Sequence, residues 1–281
     1  MKIGFYTSTF NDRPAEEVFD AAVKAGFDAI EIDIGGHVKS PDNVGPVVES
    51  ARKRGLLVSS VTLFGNQLDP DLSVRKQRRA DTKAYASAIN DAGVPIFVMF
   101  PGRDRGLNDD DNYKDFADHA LSLLDDTGTL SIAFENWPGM DDDYIATTPA
   151  GWAKLFALAP DQRIGLEFDP SHLVRLGIDP YAALAGMKDR IKILHGKDTS
   201  IDQAALQQVG YHGAGWWRYV LPGRGLVDWP RFLAEARSYG FDGTVSIEHE
   251  DADFGWPRRD LEARWEGERQ GLEFLRQAIP R

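Results

Sequence analysis

Short apolar runs alternate with longer amphipathic stretches along the whole chain. Each run is rich in β-branched and aromatic residues, which is typical of parallel strands covered on both faces. The sequence predicts eight such strands: Ile3–Tyr6, Ala29–Ile34, Leu56–Val61, Pro95–Phe100, Ser131–Glu135, Ile164–Asp169, Ile191–His195 and Thr244–Glu248. The same unit, a strand followed by a helical segment, therefore recurs from one end of the chain to the other.

The segments between these runs carry the punctuation of helices. Pro14–Ala25 begins with proline and is followed by Gly26, while Arg75–Asp91 and Trp229–Tyr239 also lead into glycine. Proline at the start and glycine just past the end mark a helix, because proline needs no donor there and glycine tolerates a left-handed conformation. The phrases AGFDAIEID and YGFDGTVSIEHE nearly repeat each other, each leading from a helix end into a strand with terminal acids.

The recurring strand–helix unit predicts an α/β fold, a single-domain (β/α)8 TIM barrel over residues 1–281. An open doubly wound sheet is the main alternative, but no G-x-G-x-x-G follows the first strand, which disfavours a dinucleotide-binding fold. No linker rich in proline, glycine or serine divides the chain. The longest irregular stretch is predicted at Asp198–Asp228, on the C-terminal face, where barrel active sites are built.

Composition narrows the classes of function. The chain has no cysteine, which excludes a disulfide framework, a thiolate zinc site and a cysteine nucleophile. Its net charge of −12, from 44 acidic and 32 basic residues, disfavours nucleic acid as a partner. The start MKIGFYTSTFNDRP lacks the pattern of a signal peptide, and no segment approaches the roughly 20 apolar residues of a membrane span. We expect a cytoplasmic protein with no membrane partner.

Four late strands each end with a residue that can bind a hard metal ion. These are Glu135 in IAFENWPG, Asp169 in GLEFDPSH, His195 in IKILHGKD and Glu248 in TVSIEHED. A single glutamate at a strand end is more often a helix cap or an ion-pair partner, but four on successive late strands favour a metal site. Three carboxylates and one imidazole suit Mn²⁺, Mg²⁺, Co²⁺ or Zn²⁺, with open positions for substrate oxygens.

Several motifs resemble one known group of proteins over essentially the whole chain. FDPSH, LHGKD, the Gly-Arg-Gly…Asp-Trp stretch at 223–229 and the final SIEHE are similar to the xylose isomerase-like barrel superfamily. That superfamily contains sugar isomerases, epimerases and the endonuclease IV type of DNA repair enzyme. The resemblance implies that Glu135, Asp169, His195 and Glu248 hold the metal, and that His172 lies beside the metal or contacts substrate.

The resemblance implies a divalent-metal-dependent sugar isomerase or epimerase, with a small sugar or sugar derivative as substrate and Mn²⁺ as the first choice of metal. Removing a proton next to a carbonyl builds negative charge on the carbonyl oxygen, which a divalent cation stabilises. We expect Glu135 and Glu248 to be the acid/base pair. Barrels of this type often pair, so a homo-oligomer is also expected.

Two other reactions stay open. A metal-dependent lyase or hydratase acting on 3-keto sugars or glycosides would use the same barrel, and a barrel that only binds a sugar is a further option. Departures from the epimerase pattern keep the lyase open: Trp137 follows Asn136, where many relatives place a histidine, and GKDTSID lacks the arginine that some ketose epimerases use on substrate. Trp216, Trp217 and Arg218 are also unusual for a small-ketose pocket. These two indoles either stack on a sugar ring or anchor the core.

An endonuclease IV-like nuclease is the alternative from another class. Its three-metal cluster needs histidines on the earlier strands, but the third strand reads VSSVTLFGN and the fourth reads VPIFVMFPG. Phe100 stands where a ligand is expected. With the net charge of −12, these residues disfavour a nuclease.

Further residues are candidates for substrate binding. Lys197 shares a strand face with His195 and acts either as an electrophile near the substrate or in a salt bridge to Asp198 or Asp33. Glu31 shares a face with Asp33, and either one of them binds sugar hydroxyls or they belong to a buried ion pair. Each of these alternatives depends on which side chains the barrel brings together.

The loop after the seventh strand adds two arginines. Arg218 and Arg224 flank Tyr219–Gly223 and either clamp a phosphate or carboxylate or anchor the loop against the acidic surface. Glu250 shares a face with Glu248 and is the alternative fourth ligand; only the family resemblance favours Glu248.

The remaining histidines are assigned by position alone. His37 and His119 are predicted at the surface, whereas His212 lies in the long loop, where it could approach substrate. His249 should point away from the barrel interior, because side chains alternate along a strand.

Overall fold

The strands form a nearly closed parallel barrel. The computed structural model describes residues 1–140, 143–257 and 260–280. Its strands are β1 (Lys2–Phe5), β2 (Ala29–Asp33), β3 (Leu57–Leu63), β4 (Ile96–Met99), β5 (Ser131–Glu135), β6 (Ile164–Phe168), β7 (Ile191–Gly196), β8 (Asp198–Ile201), β9 (Trp217–Val220) and β10 (Thr244–Ile247). All except β8 and β9 belong to one sheet with the order β1-β10-β7-β6-β5-β4-β3-β2.

Helices alternate with the strands along the chain, and most of them cover the outside of this sheet. They are α1 (Ala15–Ala25), α2 (Pro41–Lys53), α3 (Leu72–Asp91), α4 (Asp109–Ser122), α5 (Pro149–Leu158), α6 (Pro170–Arg175), α7 (Pro180–Met187), α8 (Gln203–Val209), α9 (Trp229–Ser238) and α10 (Leu261–Ala278). The described helices include none that is long and apolar enough to cross a membrane.

Parallel pairing continues around the whole sheet. A single parallel bridge between Tyr6 and Glu31 joins the two outermost strands, β1 and β2. The eight-stranded sheet thereby nearly closes on itself, which leaves no long exposed edge. The structure confirms the predicted single-domain TIM barrel and excludes the open doubly wound sheet.

The predicted elements coincide with the observed ones because their local signals are strong. Ser131–Glu135 is observed with the predicted bounds, and each of the other predicted strands overlaps a barrel strand. Pro14 occupies the N-cap of α1, and Gly26 ends that helix in the left-handed region with a φ of 94°. Only glycine adopts this conformation without steric cost, which fixes the helix end.

The long stretch predicted as irregular is partly ordered, which corrects the prediction. Within Asp198–Asp228, β8 and β9 pair antiparallel and α8 lies between them. The Asp198 carboxylate holds the base of this hairpin, because it accepts hydrogen bonds from the backbone of Gly223 and Val227 and from the Trp229 indole. A Cβ at Gly225 would lie 2.3 Å from Asp198 Oδ1, which explains the second glycine of the Gly-Arg-Gly motif.

The barrel interior is layered. Val98, Ala133 and Ile193 form a small apolar layer on three strands. Side chains alternate along a strand, so Glu135 and His195 project on the same side as Ala133 and Ile193, two residues closer to the C-terminal rim. An apolar floor therefore lies beneath a charged layer.

Two histidines predicted at the surface are buried. His37 is 6% exposed and His119 is 5% exposed. Burial lowers the pKa of each imidazole to about 4. The Nε2 atoms of both rings make no hydrogen bond to the described part of the chain, so a positive charge on either ring is poorly compensated.

We expect these histidines to make the fold acid-labile. A base with an unfolded pKa near 6.5 and a folded pKa of about 4 contributes stability that is complete above pH 6.5 and is lost as pH falls towards 4. Replacing His119 with glutamine should shrink the drop in unfolding free energy between pH 7 and 4.5 by about 2 kcal/mol.

Urea unfolding at a series of pH values measures this difference. His212 is exposed, so His212→Gln is the matched control and should leave the pH dependence unchanged. An unaltered pH dependence in His119→Gln would contradict the assignment of a neutral buried imidazole.

Candidate metal centre

The four predicted ligands converge at one rim of the barrel. Glu135 ends β5, Asp169 follows β6, His195 lies near the end of β7 and Glu248 follows β10. One ligand atom from each lies within 4.8 Å of those of the others. Parallel strands present their C-terminal ends on the same side of the barrel. Residues that end successive strands therefore form one cluster in space, although they are far apart in the sequence.

The cluster has the chemistry of a cation site. His195 Nδ1 lies 3.0 Å from Glu248 Oε2, 3.3 Å from Glu135 Oε1 and 3.8 Å from Asp169 Oδ2. His195 Nδ1 and Asp169 Oδ2 are buried and make no hydrogen bond to the described residues. Buried polar atoms rarely stay without a partner. A divalent ion would satisfy both atoms, and carboxylate oxygens with one imidazole nitrogen suit Mn²⁺, Mg²⁺ or Zn²⁺.

The other nitrogen of His195 faces a second pair of acids across the barrel. Nε2 donates to Glu31 Oε2 over 3.2 Å, and Glu167 Oε1 lies 3.1 Å away without hydrogen-bond geometry. Thr62 donates its hydroxyl hydrogen to Glu31 as well. When a metal replaces the proton of Nδ1, the proton held on Nε2 leaves the lone pair of Nδ1 pointing at the ligand cluster, which is how an acid behind a histidine orients it for a metal.

The pKa values of Glu31 and Glu167 shift in opposite directions although both residues are fully buried. Burial, and then the neighbouring charge of Glu31, raise the pKa of Glu167 well above its usual value. Burial also acts to raise the pKa of Glu31, but the charge of His195 and the hydrogen bonds from His195 and Thr62 lower it. A neighbouring carboxylate disfavours the ionisation of the other one. We therefore expect the negative charge of this pair to lie mainly on Glu31.

Lys197 is a buried cation within the cluster. Its Nζ atom binds Glu248 and lies 3.2 Å from both Glu250 Oε2 and Asp169 Oδ2. The salt bridges considered from the sequence, to Asp198 or Asp33, are absent among the described contacts of this lysine. Burial acts to lower the pKa of Lys197, but the surrounding carboxylates, Glu248 first, raise it well above its usual value. The ammonium stays charged at any physiological pH.

His172 lies beside the cluster, where the family resemblance placed it. Its Nε2 atom is 3.0 Å from Glu135 Oε1 and 3.3 Å from Asp169 Oδ2, and its Nδ1 atom is 2.7 Å from the Tyr219 hydroxyl. Asp169 also caps α6 by accepting from the Ser171 backbone. The DPSH motif therefore combines a predicted ligand, a helix start and the histidine one turn later.

A cavity of about 490 Å³ opens above the cluster. Glu135 and Glu248 line this cavity, whereas Asp169 and His195 do not. The other lining residues are Tyr6, Ser8, Asn11, Asp33, Ile34, Phe64, Phe100, Trp137, Lys197 and Glu250. Two of the four predicted ligands are therefore positioned to reach a bound small molecule.

Asp33 is fixed in the cavity wall by three donors. The Tyr6 hydroxyl donates to it over 2.6 Å, the Asn11 side-chain amide over 2.7 Å and the Gly36 backbone over 2.9 Å. Glu31 shares the strand but lies behind His195, outside the lining of the cavity. Of the two acids predicted on one face of β2, Glu31 therefore contacts His195, whereas Asp33 lines the cavity.

The two loop arginines lie farther out. Arg218 and Arg224 each donate to Asp253 Oδ2 over 3.0 Å, and Arg224 also pairs with Asp251 over 3.1 Å. Neither lines the cavity above the cluster. These contacts agree with the loop-anchoring alternative for both residues.

The early strands carry aromatic residues where a nuclease needs metal ligands. Phe64 and Phe100 pack against each other and line the cavity. Within the described residues, the groups of potential ligands are the predicted cluster and the set of Glu31, Glu167 and His195. Neither set reaches the third or fourth strand, so the structure adds nothing in favour of a three-metal nuclease.

The sequence model of the xylose isomerase-like TIM barrel matches residues 19–278. The chain belongs to this family. Family membership agrees with the convergence of ligands at the C-terminal rim and confirms the resemblance seen in the FDPSH and SIEHE motifs.

Two curated proteins are similar to this chain in sequence, one over most of its length and one over about a third of it. An uncharacterised Bacillus subtilis (strain 168) protein, YfiH, is 26% identical over 300 residues, covering 89% of this chain and 93% of the relative. An inosose dehydratase from Lacticaseibacillus casei is 29% identical over 107 residues, covering 37% and 36%. The second likeness covers only about a third of either chain.

Solved structures extend the comparison of the fold. A Clostridium cellulolyticum H10 D-psicose 3-epimerase has a TM-score of 0.77 at 15% identity, with all of both chains covered. A probable 3-DHS dehydratase from Bacillus anthracis has 0.72 at 15%, covering 98% and 99%. The 3-keto-D-glucoside 4-epimerase of E. coli has 0.70 at 17%, covering 99% of each. At these identities the likeness shows the fold alone.

The sequence analysis did not single out Glu167 and Tyr219 near the cluster, nor Tyr6, Asn11 and Phe64 in the cavity wall. Glu167 lies two residues before Asp169 on β6, so the alternation of side chains could have placed both on the inner face. Tyr219 contacts His172 from the hairpin strand β9, but no local pattern points to it, since it reaches the cluster only through the tertiary arrangement of the loop.

The division of charge behind His195 predicts unequal effects of two isosteric changes. Glu31→Gln removes the charged acceptor and offers an amide donor, so Mn²⁺ affinity should fall about 10–100-fold. Glu167→Gln replaces one neutral group by another and should change the affinity less than about threefold. Competition with a chelating dye measures both dissociation constants, and circular dichroism checks that the variants fold. Equal losses in the two variants would refute the assignment.

Proposed function

We propose that this protein is a divalent-metal-dependent sugar isomerase or epimerase that removes a proton from a carbon next to a carbonyl. One observation carries the proposal: Glu135 and Glu248 belong to the ligand cluster and also face the cavity. We assign the ligands as Glu135, Asp169, His195 and Glu248, and Mn²⁺ as the preferred ion. A divalent cation held there would act as a Lewis acid towards the carbonyl oxygen of a sugar.

The two cavity-facing glutamates supply the proton transfers. One carboxylate accepts the proton as the C–H bond breaks, and the electron pair moves onto the carbonyl oxygen. The second glutamate, protonated as a carboxylic acid, gives its proton to the opposite face of the same carbon, which yields the epimer. If the proton goes instead to the former carbonyl carbon, the hydroxyl proton on the deprotonated carbon moves to the former carbonyl oxygen, which yields the isomer. His172 contacts Glu135, and Lys197 contacts Glu248, so each acid is held in a fixed orientation.

Other cavity residues fit the recognition of a polyhydroxylated substrate. The Lys197 ammonium would stabilise negative charge that develops on a substrate oxygen. Asp33 and Glu250 offer carboxyl oxygens that accept from hydroxyl groups, while Phe64, Phe100 and Trp137 form an apolar wall. Aromatic walls suit the C–H faces of sugar rings and exclude water. We assign Glu31 to the orientation of His195 rather than to the substrate.

A lyase or hydratase on 3-keto sugars or glycosides is the second candidate, favoured by the position of Glu250. Burial raises the pKa of Glu250, with Lys197 acting in the opposite direction, and its carboxyl group lines the cavity. A protonated acid there could donate to an oxygen that leaves after proton abstraction. Elimination expels water or an alcohol, whereas isomerisation conserves mass, so mass spectrometry of the product separates the two reactions.

Metal content tests the centre of the proposal. Protein purified without chelator should carry about one divalent ion per chain, because one set of four ligand atoms converges. Asp169→Ala and Glu248→Ala should each lose that ion while remaining folded. Elemental analysis measures the content; two or three zinc ions per chain would favour the nuclease class instead.

Solvent exchange tests the chemistry. In D₂O, the Mn²⁺-loaded protein should introduce one deuterium at the carbon next to the carbonyl of a ketose or 3-keto sugar that it converts. Glu135→Gln and Glu248→Gln should each slow this exchange by about 10²–10⁴-fold, the usual contribution of a positioned acid or base.

Proton NMR follows the exchange, with Glu273→Gln as control, because Glu273 is exposed on α10. Product that is turned over without deuterium would rule out proton transfer through these exchangeable acids.

A further inference from the structure

A second cavity adjoins the first along its rim. It has a volume of about 450 Å³ and is lined by Trp137, Met140, Trp217, Arg218, Tyr219, Glu250, Ala252 and Trp256. Trp137 and Glu250 line both cavities. Each volume alone falls within the roughly 300–1,000 Å³ of a small-molecule site. The two together offer more room than a single monosaccharide ring fills.

We propose that this outer cavity binds the second sugar ring of a glycoside, so that the substrate is a keto sugar carrying another pyranosyl ring. The inference rests on the proposed function, since the first ring must lie over the metal centre. It narrows that function from sugars in general to sugars joined to a further ring.

The lining of the outer cavity has the character of a sugar-binding surface. Trp137, Trp217, Trp256 and Tyr219 present aromatic groups around one space. Trp256 is 38% exposed. Burying a large apolar side chain lowers the free energy, so a ligand that covers this indole would be stabilised. Rings with one apolar face and several hydroxyl groups are suited to such a surface, because indole faces pack against their C–H bonds.

Trp217 and Trp137 are held in place by neighbouring side chains without any ligand. The Arg175 guanidinium lies 4.1 Å from the centre of the Trp217 ring, and the Tyr219 ring lies 4.8 Å from it. Trp137 packs 4.9 Å from the Tyr144 ring. A binding surface that is already ordered loses little conformational entropy when it is occupied.

The charges at this cavity favour a neutral partner over a phosphate. Among the described lining residues Arg218 is the cation, and it already donates to Asp253 Oδ2 over 3.0 Å. Glu250, at the boundary of the two cavities, adds a carboxyl group. Within the described part of the lining, an anion would face this acid while Arg218 is already paired, whereas ring hydroxyls can donate to Glu250 and accept from Arg218.

Matched ligands test the second subsite. Titration calorimetry on the Mn²⁺-loaded protein compares D-fructose with three ketose disaccharides: turanose, maltulose and palatinose, which carry a glucosyl ring on different oxygens of fructose. At least one disaccharide should bind about tenfold more tightly than D-fructose or better, the scale expected for a buried aromatic anchor.

Two variants locate the effect. Trp217→Ala removes the central ring, and Ala252→Trp fills the cavity from an exposed turn, so that one variant remains informative if the other misfolds. Both should reduce the disaccharide advantage to below about threefold while fructose affinity and Mn²⁺ content stay unchanged. Tyr211→Ala is the control, because Tyr211 is exposed on the same hairpin and lines neither cavity.

The outcomes separate the subsite from the proposed function. Equal affinities for fructose and all three disaccharides, or an advantage that persists in both variants, would overturn the subsite and leave the metal-dependent sugar chemistry standing. Absence of binding by all four sugars would overturn the proposed function and the subsite together.

Discussion

The central constraint on this structure is the concentration of acids in a dry barrel interior. His195 reduces the repulsion among these acids, because both of its ring nitrogens contact carboxyl groups. On one side, Glu31 and Glu167 share Nε2; on the other, three carboxylates surround Nδ1. Lys197 contributes the second buried positive charge. Like charges packed this closely repel strongly in a low dielectric, so an additional cation is the natural completion of the set.

The rest of the barrel is arranged so that this charged layer can exist. An apolar layer that includes Ala133 and Ile193 lies below it, and aromatic side chains such as Phe64 and Phe100 form one wall above it. The hairpin after β7 contributes Tyr219, which contacts His172. Water is therefore displaced from several sides, which strengthens every electrostatic interaction inside.

The sequence predicts those features that depend on local pattern. Apolar runs located the barrel strands, and strand-terminal acids and His195 located the cluster, because parallel strands end on one side. Features that depend on tertiary contacts were not accessible. The hairpin is ordered by hydrogen bonds to Asp198, and His119 is buried by packing on its helix. Glu167 could have been recognised from its spacing to Asp169, but its role depends on a ring from another strand.

One strand of the hairpin connects the two cavities mechanically. Trp217 and Tyr219 lie two residues apart on β9, so the ring that lines the outer cavity shares a rigid segment with the hydroxyl that contacts His172. A ligand group that displaces Trp217 would therefore also move Tyr219 and change its contact with His172. Binding energy from a part of the substrate that does not react could in this way appear as turnover rate rather than as affinity. A truncated substrate would then be a slow one, not merely a weakly held one.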